Sequence, residues 1–457
     1  MKHLNIVIAG AAGQGVQSAG EILGKTLLRL GYHVFITQDY QSRVRGGHNF
    51  ISVRFSDAPL AASVRRADYL LALNEESLGL RLGELSGGGL AFCLEADKGH
   101  QSDPRLRVLP DSMGPAAARG EKFAAVKLLS MLFASLGFSP DVLAGSVKKL
   151  FEGRLKPEIL QANLETVAAV SAFLVPRDVR PPVFGAGPSA NRMLISGNDA
   201  VALGMIAAGI GVYAGYPITP STSILNALGT AGPGLGIAVE QAEDEIAALN
   251  IAIGASYAGV RAACGSSGAG MSLMAEAVGL AGITETPVVI YDGQRAGPAV
   301  GMATRTEQGD LLSLVHASHG EFPRAVISPA THTDSFYLAA EAFNIADVWQ
   351  VPVFLINDLE QAGSETTLEE FDVSRIRINR GLTAPEPAES AMLARYAVTE
   401  SGVSPRAVPA LSRWLVSCDS HEHDEYGRLT DDPVNRVRQH SKRMRKLAGM
   451  AAAFPGP

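Results

Sequence analysis

Apolar residues along this chain gather in short unbroken runs, many of them closed by glycine and followed by a stretch with helical spacing. Leu4–Ala9 is the first run, Val16–Leu30 then has apolar positions at helical intervals, Gly31 stops it, and Tyr32–Thr37 starts a second run. That is a strand–turn–helix–strand opening. Further strands are predicted at Ser52–Phe55 and Tyr69–Leu73, and helices near Lys122–Leu136 and Glu158–Phe173. The stretch PRDVRPPVFGAGP lacks periodicity and reads as a linker. The alternation then resumes, with helices predicted at Asp199–Ala208 and Glu243–Tyr257 and strands at Gly211–Ala214, Val288–Tyr291 and Val353–Asn357. The expected organisation is α/β, with one domain over residues 1–175, a linker over 176–190, a second domain over 191–363 and an extension over 364–457. Within the extension, the basic stretch Arg436–Lys446 reads as an exposed helix, either a solvated face or a partner-facing arm.

A length of 457 residues is consistent with two or three domains, and 47% hydrophobic against 19% charged residues leaves ample material for large cores. A net charge of −7 argues against a nucleic-acid-binding surface as the main function. Cys93, Cys264 and Cys418 are far apart and form no C-x-x-C pair, so no cysteine-held zinc or iron–sulfur site and no disulfide framework is expected; the metal expectation for this chain is none. No stretch reaches the ~20 uninterrupted apolar residues of a membrane span, and the opening run lacks a cleavage site, so the expectation is a cytoplasmic protein with no membrane or nucleic-acid partner.

Candidate chemistry sits where predicted strands end. Gly10-Ala-Ala-Gly13-Gln-Gly15 opens the first helix, where glycines let backbone N–H groups approach a phosphate; the spacing is G-x-x-G-x-G rather than the dinucleotide fingerprint, and a purely structural turn is equally open. Arg43 and Arg45, in the loop SRVRGGHN, stand at alternate positions and can present guanidinium forks on one side, to an anion or to another subunit. In Tyr216-Pro217-Ile218-Thr219-Pro220, the two prolines stiffen a turn that would present Thr219 to a ligand or cap the next helix through Thr219 or Ser221. Four carboxylates fall in Glu240–Glu245, and Glu245 enters the small-residue run IAALNIAIGASYAG, where a half-buried carboxylate is costly without a partner. Arg295 follows a strand and Arg305 lies in RTEQGD; either could hold a substrate carboxylate, or both could be structural.

Taken together, YPITPST, EDEIAALNIAIGASYAG, Gly265–Gly270, RTEQGD and HGEFPR resemble the alpha subunit of 2-oxoacid:ferredoxin oxidoreductases of the 2-oxoglutarate or broad 2-oxoacid type. GAAGQGV and SRVRGGHNF resemble that family's gamma subunit, and the tail matches through Ser404-Pro-Arg406, Glu422–Gly427 and Lys442–Lys446. The resemblance implies a gamma-type α/β domain fused to a thiamine-diphosphate pyrimidine-binding α/β domain with a parallel sheet. It implies that Glu245 hydrogen-bonds the pyrimidine ring (Glu243 being the fallback), that Tyr216, Pro217 and Ile218 contact the cofactor, and that Thr219 and Arg295 act on substrate, with Arg305 as the rival arginine. Arg305, Arg43, Arg45, Gly13 and Gly15 are the candidates for contact with substrate or coenzyme A. The implied reaction converts a 2-oxoacid, coenzyme A and oxidised ferredoxin into acyl-coenzyme A, carbon dioxide and reduced ferredoxin. Magnesium and an iron–sulfur cluster are expected in a beta subunit. Family alpha subunits usually continue into a further α/β domain beyond the segment matching Lys442–Lys446, whereas this sequence stops at Pro457, so a separate chain supplying that domain is a further expected partner. The alternative is a non-catalytic assembly or regulatory subunit of such a complex.

Overall fold

The computed structural model describes the chain except residues 1, 42–45, 95–101, 111, 116–117, 119–122, 174–177, 188–190 and 455–457. Arg43 and Arg45 lie outside the described residues. The chain folds as two units, Met1–Ile195 with Gly363–Glu370, and Ser196–Ala362 with Phe371–Pro457.

The first unit is built on an eight-stranded mixed sheet in the order Leu106–Val108, Leu85–Cys93, Ala67–Ala72, His3–Ala12, Gly46–Ser56, His33–Asp39, Glu365–Glu369, Arg192–Ser196. Strand His3–Ala12 is parallel to Ala67–Ala72 but antiparallel to Gly46–Ser56, which separates it from His33–Asp39. The opening strand and helix therefore form as their pattern predicts, while the strand after the helix pairs one place further out. Helix Val16–Arg29 buries Ile22, Leu23 and Leu27 on the sheet and starts from Gly15, whose φ of 87° suits glycine. Among the elements that escape the sequence pattern are helix Glu75–Arg81, strand Leu85–Cys93, interrupted by three glycines, strands Leu106–Val108 and Arg192–Ser196, helix Pro140–Phe151, and strand Glu365–Glu369. The last comes from the expected extension and pairs antiparallel with His33–Asp39, Thr367 Oγ1 accepting from the Val34 N–H at 3.0 Å. The described part of the expected linker is also packed rather than free. Asp178 ion-pairs Arg107 at 2.7 Å, Phe184 is buried against Tyr32 and Phe55, and the Gly187 N–H donates to the Gly31 carbonyl.

The second unit carries a six-stranded sheet, parallel throughout, in the order Ala325–Ile327, Pro352–Asp358, Val288–Gln294, Ala262–Ser266, Val212–Gly215, Ala238–Gln241. Strand residues alternate between its faces. Tyr213, Ala263, Val289 and Leu355 face a core that includes Val201 and Met205 of helix Gly197–Ala207 and Ala339 and Phe343 of helix His332–Trp349. Ala214, Cys264, Ile290 and Phe354 face helices Glu245–Tyr257 and Gly268–Ile283. A sheet covered on both sides needs strands apolar on both faces, which is why these runs read as continuous.

The tail from Phe371 is held by buried charge as well as by apolar contacts such as Phe371 on Phe336 and Met450 in the core. Asp347 ion-pairs Arg261, Arg380 and Arg406. Helix Pro433–Ala453 starts at Asp432, whose carboxylate accepts from the Val434 and Asn435 N–H groups. It places Lys442 and Lys446 one turn apart, both fully buried, on Glu285 at 2.6 and 2.5 Å. The basic stretch is thus a helix with two faces: Arg436, Arg438 and Arg445 are exposed as expected, while Lys442 and Lys446 make an interior contact the sequence did not show. Beside these two ammonium groups and Arg395, the Glu285 carboxyl is held far below its ordinary value of 4.5, although burial alone would raise it.

Trp349 and Trp414, the chain's two tryptophans, both belong to this unit, so their fluorescence reports its unfolding. Glu285→Gln is expected to destabilise the second unit by about 3–5 kcal/mol in urea, because it leaves two buried ammonium groups without a counter-charge. With a folded-state value below the unfolded one, the contribution of Glu285 is fully present above pH 4.5 and lost as pH falls below it. The gap between wild type and Glu285→Gln should narrow accordingly in acid-unfolding curves.

Candidate active site

All six strands of the second unit point the same way, so the loops leaving their carboxyl ends share one edge, where α/β sheets collect polar chemistry. Gly215, Gln241, Ser266, Gln294 and Asp358 end their strands there; Gly215 pairs with Gly265 and Gln241, and Gln294 with Asp358. The sheet therefore brings the sequence-expected residues Thr219, Glu245 and Arg295 to one edge.

Glu245 is the first residue of its helix and is 6% exposed. Its neighbour Asp244 takes the capping role, accepting from the Ala247 N–H at 2.7 Å, which leaves the Glu245 carboxylate unused by the helix end. Glu243, the fallback, is exposed. The Glu245 side chain lies against Gly270, where an added Cβ would overlap Ser266 Oγ and come within 2.8 Å of Glu245 Oε1. Ser266 and Ser267 keep buried hydroxyls without a hydrogen-bond partner among the described residues. A buried carboxylate with no ion-pair partner among those residues, beside orphan hydroxyls at an open strand edge, fits a polar cofactor ring that brings a ring nitrogen to be met.

The Tyr216–Pro220 turn is pinned from below. Asn198 Nδ2 donates to the Pro220 carbonyl at 2.9 Å and to Ser223 Oγ, while the Tyr291 hydroxyl donates to Asn198 Oδ1. Ser221 stands at the helix N-cap position, but its hydroxyl turns back to the Ile218 carbonyl and caps nothing. The turn is rigid, Thr219 is half-buried, and Tyr216 and Pro217 are exposed. Arg295, 8% exposed, donates Nη1 to the Thr219 carbonyl and Nη2 to the Val300 carbonyl. Half of its fork is thus engaged in tying the turn to the 296–305 loop. Arg305 is half-buried and donates Nη1 to its neighbouring carbonyl at Thr304.

One feature of this edge escaped the sequence reading. Asp292 lies within the buried strand Val288–Gln294, one step across from Ser266, with both carboxyl oxygens buried. Its neighbour is Asp310 of RTEQGD, whose backbone N–H donates to Gln294 Oε1 at 3.1 Å. Burial first, and the Asp310 charge second, push the Asp292 carboxyl well above the usual carboxylate range; burial raises Asp310 too. Two neighbouring carboxyls held up in this way favour their protonated forms. The available signal was a charged residue inside the apolar run VVIYDGQ.

In the first unit, Gly13 and Gly15, with φ of 93° and 87°, form the turn at the N-terminus of helix Val16–Arg29. The turn forms part of a cavity of about 430 Å³ also lined by Gln17, Ser18, Tyr40 and Asn49. Cys93 and Cys264 are buried, and burial raises both thiols, Cys93 to about 12. Among the described residues no cluster of three or more His, Cys, Asp or Glu side chains is arranged to hold a metal, and no helix is long and apolar enough to cross a membrane.

Asp292→Asn replaces a buried acid of raised pKa with a neutral amide. Because the folded carboxyls hold their protons above the unfolded value of 3.8, wild type should lose stability relative to Asp292→Asn as pH rises above about 4, read by tryptophan fluorescence in denaturant series at stepped pH.

Comparison with known proteins agrees with this geometry. Residues 203–443 match the family model for the thiamine-diphosphate-binding domain of pyruvate flavodoxin/ferredoxin oxidoreductase, and residues 5–173 match that for pyruvate ferredoxin/flavodoxin oxidoreductase. The alpha subunit of 2-oxoacid:ferredoxin oxidoreductase 2 from Aeropyrum pernix is 32% identical over 523 aligned residues, covering 100% of this chain and 80% of that one. The 2-oxoglutarate synthase subunit KorA of Archaeoglobus fulgidus is 46% identical over 165 residues, 36% of this chain and 48% of its own. Among solved structures, 2-oxoglutarate:ferredoxin oxidoreductase from Magnetococcus marinus, with 2-oxoglutarate, coenzyme A and succinyl-CoA bound, superposes with a TM-score of 0.88 at 28% identity, covering 100% of this chain and 80% of that one. With a gamma-type unit followed by a thiamine-diphosphate-binding unit, the chain belongs to the 2-oxoacid:ferredoxin oxidoreductase family and is of its alpha-subunit type.

Proposed function

We propose that this chain, together with a beta subunit, catalyses coenzyme A-dependent oxidative decarboxylation of a 2-oxoacid of the 2-oxoglutarate class, with reduction of ferredoxin. The observation that carries the reading is Glu245, a carboxylate buried at the open carboxyl edge of a parallel sheet with no ion-pair partner among the described residues. Thiamine diphosphate, when bound, supplies the nucleophilic carbon and the internal base for attack on a 2-oxoacid. Glu245 holds a proton against the pyrimidine ring nitrogen, and its burial keeps water from competing for that bond. Tyr216, Pro217 and Ile218 form the stiff wall beside the ring, and Thr219 offers its hydroxyl to substrate. Arg295, already fixed by two carbonyls, presents its remaining donors to a carboxylate, and Arg305 is the second candidate for that role.

The cavity over Gly13 and Gly15 suits the phosphate end of coenzyme A, since backbone N–H groups and the helix N-terminus face it; Arg43 and Arg45 remain candidates for the same ligand. Magnesium and an iron–sulfur cluster belong to the beta subunit on this reading. The complex is placed in the cytoplasm.

In a co-purified complex with the beta subunit, Glu245→Gln is expected to lower 2-oxoglutarate-dependent viologen reduction about 10²–10⁴-fold while the subunits still co-elute. A Glu245→Gln complex with wild-type turnover would overturn the assignment of Glu245. A wild-type complex that never turns over, with every cofactor supplied, would make this an assembly or regulatory subunit.

A further inference from the structure

In the second unit a cavity of about 190 Å³ opens at the sheet edge opposite the candidate active site. Gly259, just before strand Ala262–Ser266, and Pro287, just before Val288–Gln294, form its floor, and Arg380, Arg395 and Arg406 reach it from the tail. Its volume is about six times the ~30 Å³ share of one water. Val408, Val416 and Pro287 make part of the wall apolar.

The charges around this cavity do not balance. Asp347 is shared by Arg261, Arg380 and Arg406; Glu285 is shared by Lys442 and Lys446, and Arg395 acts on it as a third cation. Six basic side chains thus meet two carboxylates, or three when Glu341 on Asn344 is counted. Burial pulls Lys442 down to about 7 and lowers Lys446, but the four arginines alone outnumber the acids. Burial first, with the like charges of Arg395 and Arg380 adding to it, pulls Arg406 down to about 10 even though Asp347 opposes the shift. One donor is left over. Arg395 is 4% exposed and donates Nη2 to the Glu285 carbonyl, while its Nη1 is buried without a hydrogen-bond partner among the described residues. Leaving a guanidinium N–H unsatisfied inside a protein costs about 1–3 kcal/mol or more, and a planar carboxylate is the group whose two oxygens match such a fork.

We propose that this cavity binds a carboxylate with a short apolar stem, on the guanidinium groups of Arg395, Arg380 and Arg406, at the sheet edge opposite the candidate active site. The carboxylate is either a free small acid or an Asp or Glu side chain of an associated subunit. An anion there neutralises part of the surplus, satisfies Arg395, and braces the tail against the strand starts through the residues that also hold Asp347 and Glu285.

The test uses the full chain, titrated with sodium succinate against sodium chloride at matched ionic strength and followed by thermal shift and calorimetry. A saturable rise in Tm with succinate, absent with chloride, is expected, with binding weakened at least 10-fold in Arg380→Gln and lost in Arg395→Gln. Val416→Phe, which fills the cavity without removing a charge, should block binding and keeps the test decisive should Arg395→Gln not fold. If the carboxylate comes from a subunit, the free chain binds no succinate, and Arg380→Gln and Val416→Phe instead weaken co-elution with the beta subunit at least 10-fold. No saturable response in the free chain together with unchanged co-elution of both variants overturns the proposal.

Discussion

Glu285 sits at the end of helix Gly268–Ile283 with no exposure to water, and two buried lysines from the far end of the chain close on it. A charge in that position is tolerated only when opposite charges accompany it, so the turn before strand Val288–Gln294 and the helix Pro433–Ala453 are coupled. The tail between Phe371 and that helix contains little regular structure, and its course is set by such pairings: Arg380 and Arg406 on Asp347, Arg395 at the Glu285 carbonyl. What fixes this part of the second unit is satisfaction of buried charge as well as apolar contact.

The same accounting separates structural from functional groups. Where Arg261 meets Asp347 and Asn344, four of its donors are engaged within the fold. Burial, with the Asp310 charge adding to it at Asp292, holds the Asp292 and Asp310 carboxyls above the usual range, which favours their neutral forms at the sheet edge. Glu245 and Arg395 stand out in another way. Each is buried, each leaves charge or hydrogen-bonding capacity unmet, and they lie at opposite edges of one sheet. Unmet capacity inside a folded protein is expensive, so it persists where something from outside completes it.

The candidate active site also shows how a rigid scaffold presents reactive groups. Asn198, anchored by Tyr291, holds Pro220, and Arg295 holds the carbonyl of Thr219. Thr219 is thereby fixed from two sides, and an arginine expected to serve substrate is also a structural tie. The two roles are compatible because a guanidinium carries five donors and only two of them are shown engaged.

By itself, the amino-acid sequence determined the α/β class, the opening strand and helix, the rigid Tyr216–Pro220 turn, and the special position of Glu245 at the entry of a small-residue helix. These rest on local rules: apolar runs, glycine stops, proline φ, and the cost of a carboxylate beside Ile246 and Ala247. The sequence also carried the family resemblance, because those motifs are contiguous. Only the tertiary structure decided that strand Glu365–Glu369 returns to the first unit's sheet, and that Asp178, Phe184 and Gly187 of a Pro/Gly-rich stretch pack against that unit. Only it could show that the lysines of RVRQHSKRMRK point inward. Lys442 and Lys446 look solvated until Glu285, some 157 residues earlier in the chain for Lys442, is found opposite them. A local pattern records which face a residue occupies, whereas a buried charge is decided by a partner that the chain supplies from far away.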